Sequence, residues 1–295
     1  VSGLRAAVDR AAVVRAAVVR AAVVRGTGFR PTAAEAVAGV VLLLVLVAAL
    51  WPGLLAPGDP LATSPADAFQ APSPAHLFGT DESGRDIYTR VVHGARDSLL
   101  IGVLATGIGI GLATVLGFVA GLGPRWLDFG TTRLVEVLFA FPGLLLALLF
   151  IVVTGPGVLS STIAVGLATA PGYARIIRSQ VRRTASAEFI EAARVLGRGR
   201  LWIVARHILP NVTAALFVLA TLGLGQAIIW VSSLSYLGLG AVPPAAEWGA
   251  MLAAGRTYIA NFWWMTFFPG LAIVASAAAA TVIGRGIQKR NRSAA

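Results

Sequence analysis

Long uncharged runs separated by short basic segments organise this chain. The hydrocarbon core of a bilayer takes about 20 apolar residues per spanning helix. The first run predicts a helix over 36–56. The second, over 98–122, contains no charge. Val137–Ala174 is uncharged for 38 residues, too long for one helix without extreme tilt. Gly155-Pro156-Gly157 breaks it, so two helices are predicted, 134–154 and 159–177. The stretch 207–246 has room for two spans, but charge argues for one. The last apolar run, 262–284, is followed by Arg285, Lys289, Arg290 and Arg292. A single span over 211–233 keeps that basic tail on the inner side. LSYLGLGAVPP, 234–244, is then a glycine- and proline-broken shoulder, re-entrant or interfacial.

The predicted fold is all-α, a polytopic membrane protein with six spans and both termini inside. Residues 1–35 form an inner tail, 36–287 the membrane domain and 288–295 a second tail. Of the 24 basic residues, 20 fall on the inner side in this arrangement, as the positive-inside rule requires. Composition agrees: 57% of the 295 residues are apolar and only 13% charged, about half the usual soluble share. The net charge of +11 therefore belongs to loops that orient helices, and no nucleic-acid partner is predicted. AAVVR repeats three times over 11–25. An arginine every fifth residue drifts around a helix, so the repeat reads as a tolerant tail rather than a lipid-bound amphipath. No signal peptide is predicted.

Catalytic chemistry is missing from the pattern. There is no cysteine, the histidines at 76, 93 and 207 are far apart, and no phosphate-binding loop or hydrolase motif appears. No metal, cofactor or catalytic residue is predicted, and the chain is not expected to be an enzyme. Gly107-x-Gly109-x-Gly111 lacks the strand context of a dinucleotide site and reads as helix packing. Glu136, three residues after Arg133, is expected to pair with it at the interface, with a pathway-mouth role as the alternative. Asp81, Glu82 and Asp86 read chiefly as loop polarity and His93 as a hydrogen-bonded loop residue. Arg175, Arg178, Arg182 and Arg183 are expected to anchor the inner end of the fourth span, with lipid headgroups among their partners. Thr106, Thr114, Ser160, Thr162 and Gln226 are polar groups that could line a path.

The inner segment 187–210 is too polar to span and too patterned for a linker. Ala187–Leu196 predicts one short helix and Leu201–Ile208 a second. Phe189, Ala192, Ala193 and Leu196 form an apolar face beside Glu188 and Glu191. Gly197 and Gly199 allow a sharp turn, and Pro210 permits the next helix to start. Glu191-Ala192-Ala193, then Gly197, then Leu209-Pro210 resemble the "EAA" signature of binding-protein-dependent ABC importer permeases. HLFGTDESGRDIYTRVVHGARDSLLIG at 76–102, FAFPGLLLAL at 139–148, LSYLGLGAVPPAAEWGAML at 234–252 and WWMTFFPGLAI at 263–273 resemble the dipeptide, oligopeptide and nickel branch. The resemblance covers roughly 36–287.

That resemblance implies a type I importer permease fold and an inner-membrane subunit importing di- or oligopeptides. Nickel chelates, glutathione or another small solute are the alternatives, with an ATP-independent channel or secondary transporter as the different class. The implied partners are a second homologous permease, two ATP-binding cassette ATPases and an extracytoplasmic solute-binding protein, besides membrane lipid. Glu188, Glu191, Ala192, Ala193, Gly197, Leu209 and Pro210 are the implied ATPase-coupling residues. Arg285 stands where the branch commonly has Asp. With Glu136 it is a candidate pathway-mouth or partner contact.

Overall fold

The computed structural model describes residues 32–293, and the AAVVR repeat lies outside them. All named elements are helical. α1 (Ala33–Leu50) opens on a capping box. Thr32 Oγ1 accepts the Glu35 N–H at 3.3 Å, and Glu35 Oε2 accepts the Thr32 N–H at 3.0 Å. That reciprocal pairing satisfies two amides at the helix start, which lies three residues before the predicted one. A short turn, α2 (Pro52–Leu55), leads into the outer loop. α3 (Ile87–Leu122) is capped by Asp86 and begins well before the predicted span. α4 (Arg125–Ala140) and α5 (Gly143–Thr154) follow. α6 (Val158–Ala185) and the inner pair α7 (Glu188–Val195) and α8 (Arg200–Ile203) come next. α9 (Leu209–Tyr236), α10 (Trp248–Gly255) and α11 (Trp264–Ser293) complete the fold.

Among the described residues, four helical stretches are long and apolar enough to cross a bilayer: Ala33–Leu50, Ile87–Leu122, Arg200–Tyr236 and Trp264–Arg290. Together α4 and α5 make a fifth candidate, bent by 95°. The single helix predicted over 134–154 is therefore corrected to a broken one. Pro142 has no N–H to continue the ladder, and the residue before a proline is driven to extended backbone. Phe141 obeys, at φ −83° and ψ 141°. α6 contains the predicted 159–177 segment but runs on through three more arginines, Arg178, Arg182 and Arg183, to Ala185. Glu35 Oε1 lies 3.4 Å from Arg290 Nη1, which puts the start of α1 and the end of α11 at one end of the bundle.

Three apolar clusters stack along α3. The first joins Ile87, Trp248, Met251 and Trp264 at its start. The second joins Ile101 and Ala105 to Ile151, Val165 and Val231. The third joins Ala113 to Ile177, Ile190, Ile203 and Val212 at the far end. Glycine lets α3 and α6 approach closely through the middle. A Cβ added at Gly109 would stand 2.6 Å from Thr169 Oγ1 and 3.0 Å from the Gly166 carbonyl oxygen. At Gly107 it would meet nothing within 4 Å. The packing role predicted for these glycines thus holds for Gly109 and not for Gly107. Gly109→Leu is expected to cost about 1–3 kcal/mol by overpacking, whereas Gly107→Leu, on an open face, costs nothing measurable. Thermal unfolding of the two variants in detergent separates them; equal melting temperatures would contradict the seam.

The end of the bundle at the start of α3, predicted to be the outer one, is locked by hydrogen bonds across the sequence. Asp81, 6% exposed, accepts the N–H groups of Ser83 and Arg85 and the Arg85 Nε at 2.7 Å. Asp86 caps α3 at the Thr89 N–H, 2.8 Å, and pairs with His76 Nδ1 at 3.1 Å. These acids build the loop and are more than surface polarity. His93 is hydrogen-bonded as expected, Nε2 to the Ala56 carbonyl at 3.0 Å, although it sits on α3 and not in a loop. Trp264 Nε1 donates to the Thr80 carbonyl and Trp248 Nε1 to that of Val91. Glu247, 1% exposed, caps α10 through the Gly249 and Ala250 N–H groups, both at 2.9 Å. Burial pushes its carboxyl pKa up, against the pull of those two amides. The predicted shoulder supplies the last turn of α9 and a bend whose Leu239 carbonyl accepts the Gly157 N–H at 2.9 Å.

Candidate coupling surface and translocation grooves

The inner segment folds as a helical hairpin. α7 runs between Ala187 and Leu196, which flank it as caps. It ends in a Schellman turn: the Arg198 N–H donates to the Ala193 carbonyl at 3.1 Å and the Gly197 N–H to Arg194 at 2.9 Å. That geometry requires a left-handed residue, and Gly197 has φ +74°. The second predicted helix, Leu201–Ile208, is not separate. α8 passes through a π turn, Val204–Ile208, straight into α9. Pro210 has no N–H to bond to the preceding turn, and a π turn widens the helix where the ring would otherwise clash.

The apolar face predicted for α7 is only partly right. Ile190 (0% exposed) and Ala193 (6%) point into the bundle against Ile203 and Ile208. Phe189, Ala192 and Leu196 point outward, together with Glu188 and Glu191. Val195, Leu196 and Leu201 are 84%, 78% and 85% exposed. An eight-residue helix carrying apolar side chains on two opposite faces has one for its own core and one for something else. Among the remaining candidates, Leu209 and Pro210 are exposed on the first turn of α9. Glu136 is exposed and pairs with Arg133 at 2.9 Å, the pairing that its spacing predicted. Arg285 is exposed on α11.

Behind the hairpin, the start of α4 and the end of α6 are clamped together. Asp128 lies 2.7 Å from Arg178 Nη2 and pairs also with Arg182. Nothing local in the sequence marks Asp128, because its partners are 50 and 54 residues away. Arg200 Nη2 donates to the Leu122 carbonyl at the end of α3, tying the hairpin to that helix. Of the polar residues proposed for a path, Thr106, Thr114 and Thr162 donate back to carbonyls of their own helices. Gln226 stays exposed and borders two grooves. One, about 530 Å³, lies between α9 and α11 and includes Gly225, Ala277, Thr281 and Arg285. The other, about 460 Å³, lies where the α4–α5 bend meets α6 and α9.

A bundle of long apolar helices with open grooves and an exposed helical hairpin on its arginine-rich end defines a polytopic membrane protein. The match to known proteins gives the family. Residues 113–293 match the binding-protein-dependent transport system inner membrane component family, and the chain belongs to it. The dipeptide transport system permease protein DppC of Alkalihalophilus pseudofirmus is 38% identical, over 86% of this chain and 84% of its own. The di/tripeptide permease DppC of Pseudomonas aeruginosa is 36% identical, over 86% of each chain. The glutathione permease GsiD of Pectobacterium atrosepticum is 37% identical over 85% and 84%. The inward-facing MetNI methionine ABC transporter shares the fold, with TM-score 0.54 at 18% identity, over 68% of this chain and 97% of that one. The chain is a multi-pass permease component of a binding-protein-dependent ABC importer in a bacterial cytoplasmic membrane.

Proposed function

We propose that this permease imports di- or oligopeptides and takes its driving force from ATPase subunits seated on the 187–210 hairpin. The observation that carries the coupling half is the outward face of Val195, Leu196 and Leu201. Exposed apolar side chains on a rigid helical turn mark a protein interface. Glu188, Glu191 and Ala192 flank it, Ala193 and Gly197 fix its shape, and Leu209-Pro210 joins it to α9. Motion of the seat is transmitted because α8, the π turn and α9 form one continuous element. The peptide half rests on the named relatives. The glutathione permease supports a second reading in which the cargo is glutathione, itself a small peptide.

In this reading residues 36–287 are the permease domain, both tails are cytoplasmic and six segments cross the membrane, the third as a bent pair. A second permease completes the pathway, and a solute-binding protein docks on the outer loops. ATP is hydrolysed on the partner chains. Copurification from detergent and uptake by the reconstituted complex test this. Two ATPases and a second permease are expected with the chain, and peptide-loaded binding protein is expected to stimulate hydrolysis. A complex that forms but ignores peptides removes the substrate assignment alone. A chain that binds no ATPase removes the role of the hairpin.

A further inference from the structure

The four arginines toward the end of α6 are held differently, and Arg183 is exposed and in no ion pair among the described residues. Arg178 and Arg182 are held by Asp128. Arg175, one turn earlier, is in none of the ion pairs among the described residues. Its guanidinium carbon lies 4.2 Å from the centroid of the Phe139 ring. Stacking of this kind holds the plane of the fork and leaves its N–H edge free to bind a carboxylate.

Arg175 borders the groove at the α4–α5 bend. The rest of that lining is mostly aromatic or aliphatic, with Phe139, Phe141, Tyr173 and Trp230 as its large members, and the Tyr173 hydroxyl, Gln226 and Thr169 as its uncharged polar groups. No acid lines it. Its volume, about 460 Å³, falls in the range that holds a small organic solute. Glu136 shares an adjoining pocket with Arg175 but is paired with Arg133 at 2.9 Å; on the groove side, a cation with no acid in the lining favours an anionic group arriving from outside the chain. A peptide carries such a group, and its carboxylate is the part least able to enter apolar surroundings unpaired.

We propose that Arg175 is the counter-charge for the substrate's C-terminal carboxylate as it passes the α4–α5 bend, with the Gln226 amide placed for a peptide group. Arg175 is a substrate-contacting residue in this account, and the bent pair α4–α5 exists to hold Phe139 beneath it. The inference rests on the peptide reading above.

The test is uptake of a labelled dipeptide by proteoliposomes holding the complete importer, at saturating binding protein. Arg175→Gln is expected to lower the maximal rate by roughly tenfold, as loss of a charge-assisted bidentate contact would. The binding-protein concentration giving half that rate should not move. Arg175→Lys keeps the charge but not the planar fork, and should recover part of the rate. Gln226→Glu, which leaves Arg175 in place but brings an acid into the same groove, should also slow uptake. Wild-type rates in Arg175→Gln or in Gln226→Glu would overturn the proposal. So would Arg175→Lys falling as far as Arg175→Gln, since that marks a packing role, or a shifted half-maximal concentration, since that marks docking. A wild-type complex that moves no peptide removes the peptide reading, and this inference with it. A wild type that moves peptide beside an unaffected Arg175→Gln removes this inference alone.

Discussion

Gly197→Val is expected to lower solute uptake at least roughly tenfold while the protein still inserts, since tenfold corresponds to about 1.4 kcal/mol. The cause is backbone conformation and not space. A Cβ at Gly197 meets nothing within 4 Å, yet φ is +74°, a region that costs an ordinary residue about 1–2 kcal/mol and a β-branched one more. The turn relieves that strain by leaving the left-handed region. It then gives up the Arg198-to-Ala193 and Gly197-to-Arg194 hydrogen bonds that set α7 against α8. Leu196 and Leu201, on either side of the turn, no longer form one surface. Gly197→Asn is the control, because asparagine tolerates the left-handed region, and it should keep most of the uptake. Uptake, ATPase copurification and membrane yield of the two variants decide the matter. Normal uptake in Gly197→Val, or equal loss in both, would sink the argument.

Much of this protein was legible in its sequence because a bilayer punishes unsatisfied backbone and exposed charge. Uncharged runs gave the positions of the long helices, and arginine gave the crowded end. The hairpin was readable from Gly197 and the apolar spacing around it. Which apolar residues face inward was not. Phe189, Ala192, Ala193 and Leu196 satisfy a helical period, but Ile190 and Ala193 satisfy the core. A short helix with two apolar faces carries no internal sign of which one belongs to a partner. The break at Phe141-Pro142 did have a local signal, the proline itself, which the strong apolar run around it hid. The Asp128 clamp and the outer lock had none, since they join residues tens to more than a hundred positions apart.

That outer lock centres on Arg90, and Arg90→Met is expected to lower stability by about 2–4 kcal/mol and to abolish docking of the binding protein. Arg90 is 3% exposed. Its guanidinium donates to the carbonyls of Pro60, Pro244 and Ala245, each at 3.2 Å, and its Nε lies 3.7 Å from Asp81 Oδ2. One side chain therefore ties the first outer loop, the start of α3 and the segment before α10. Methionine fills a similar volume, so the loss is chiefly polar: three carbonyls lose their donor and Asp81 keeps Arg85 as its one charged partner. Arg90→Lys tests the geometry, because an ammonium group is a point donor that cannot reproduce the planar fork, and most of the loss should remain. The inner hairpin packs in a separate apolar cluster, so ATPase copurification should survive in both variants. Melting in detergent measures the first effect, and retention of the permease complex on immobilised binding protein measures the second. A variant that melts like wild type would remove Arg90 as the tie. One that melts early but still docks would show that the binding protein sits on a surface the tie does not shape.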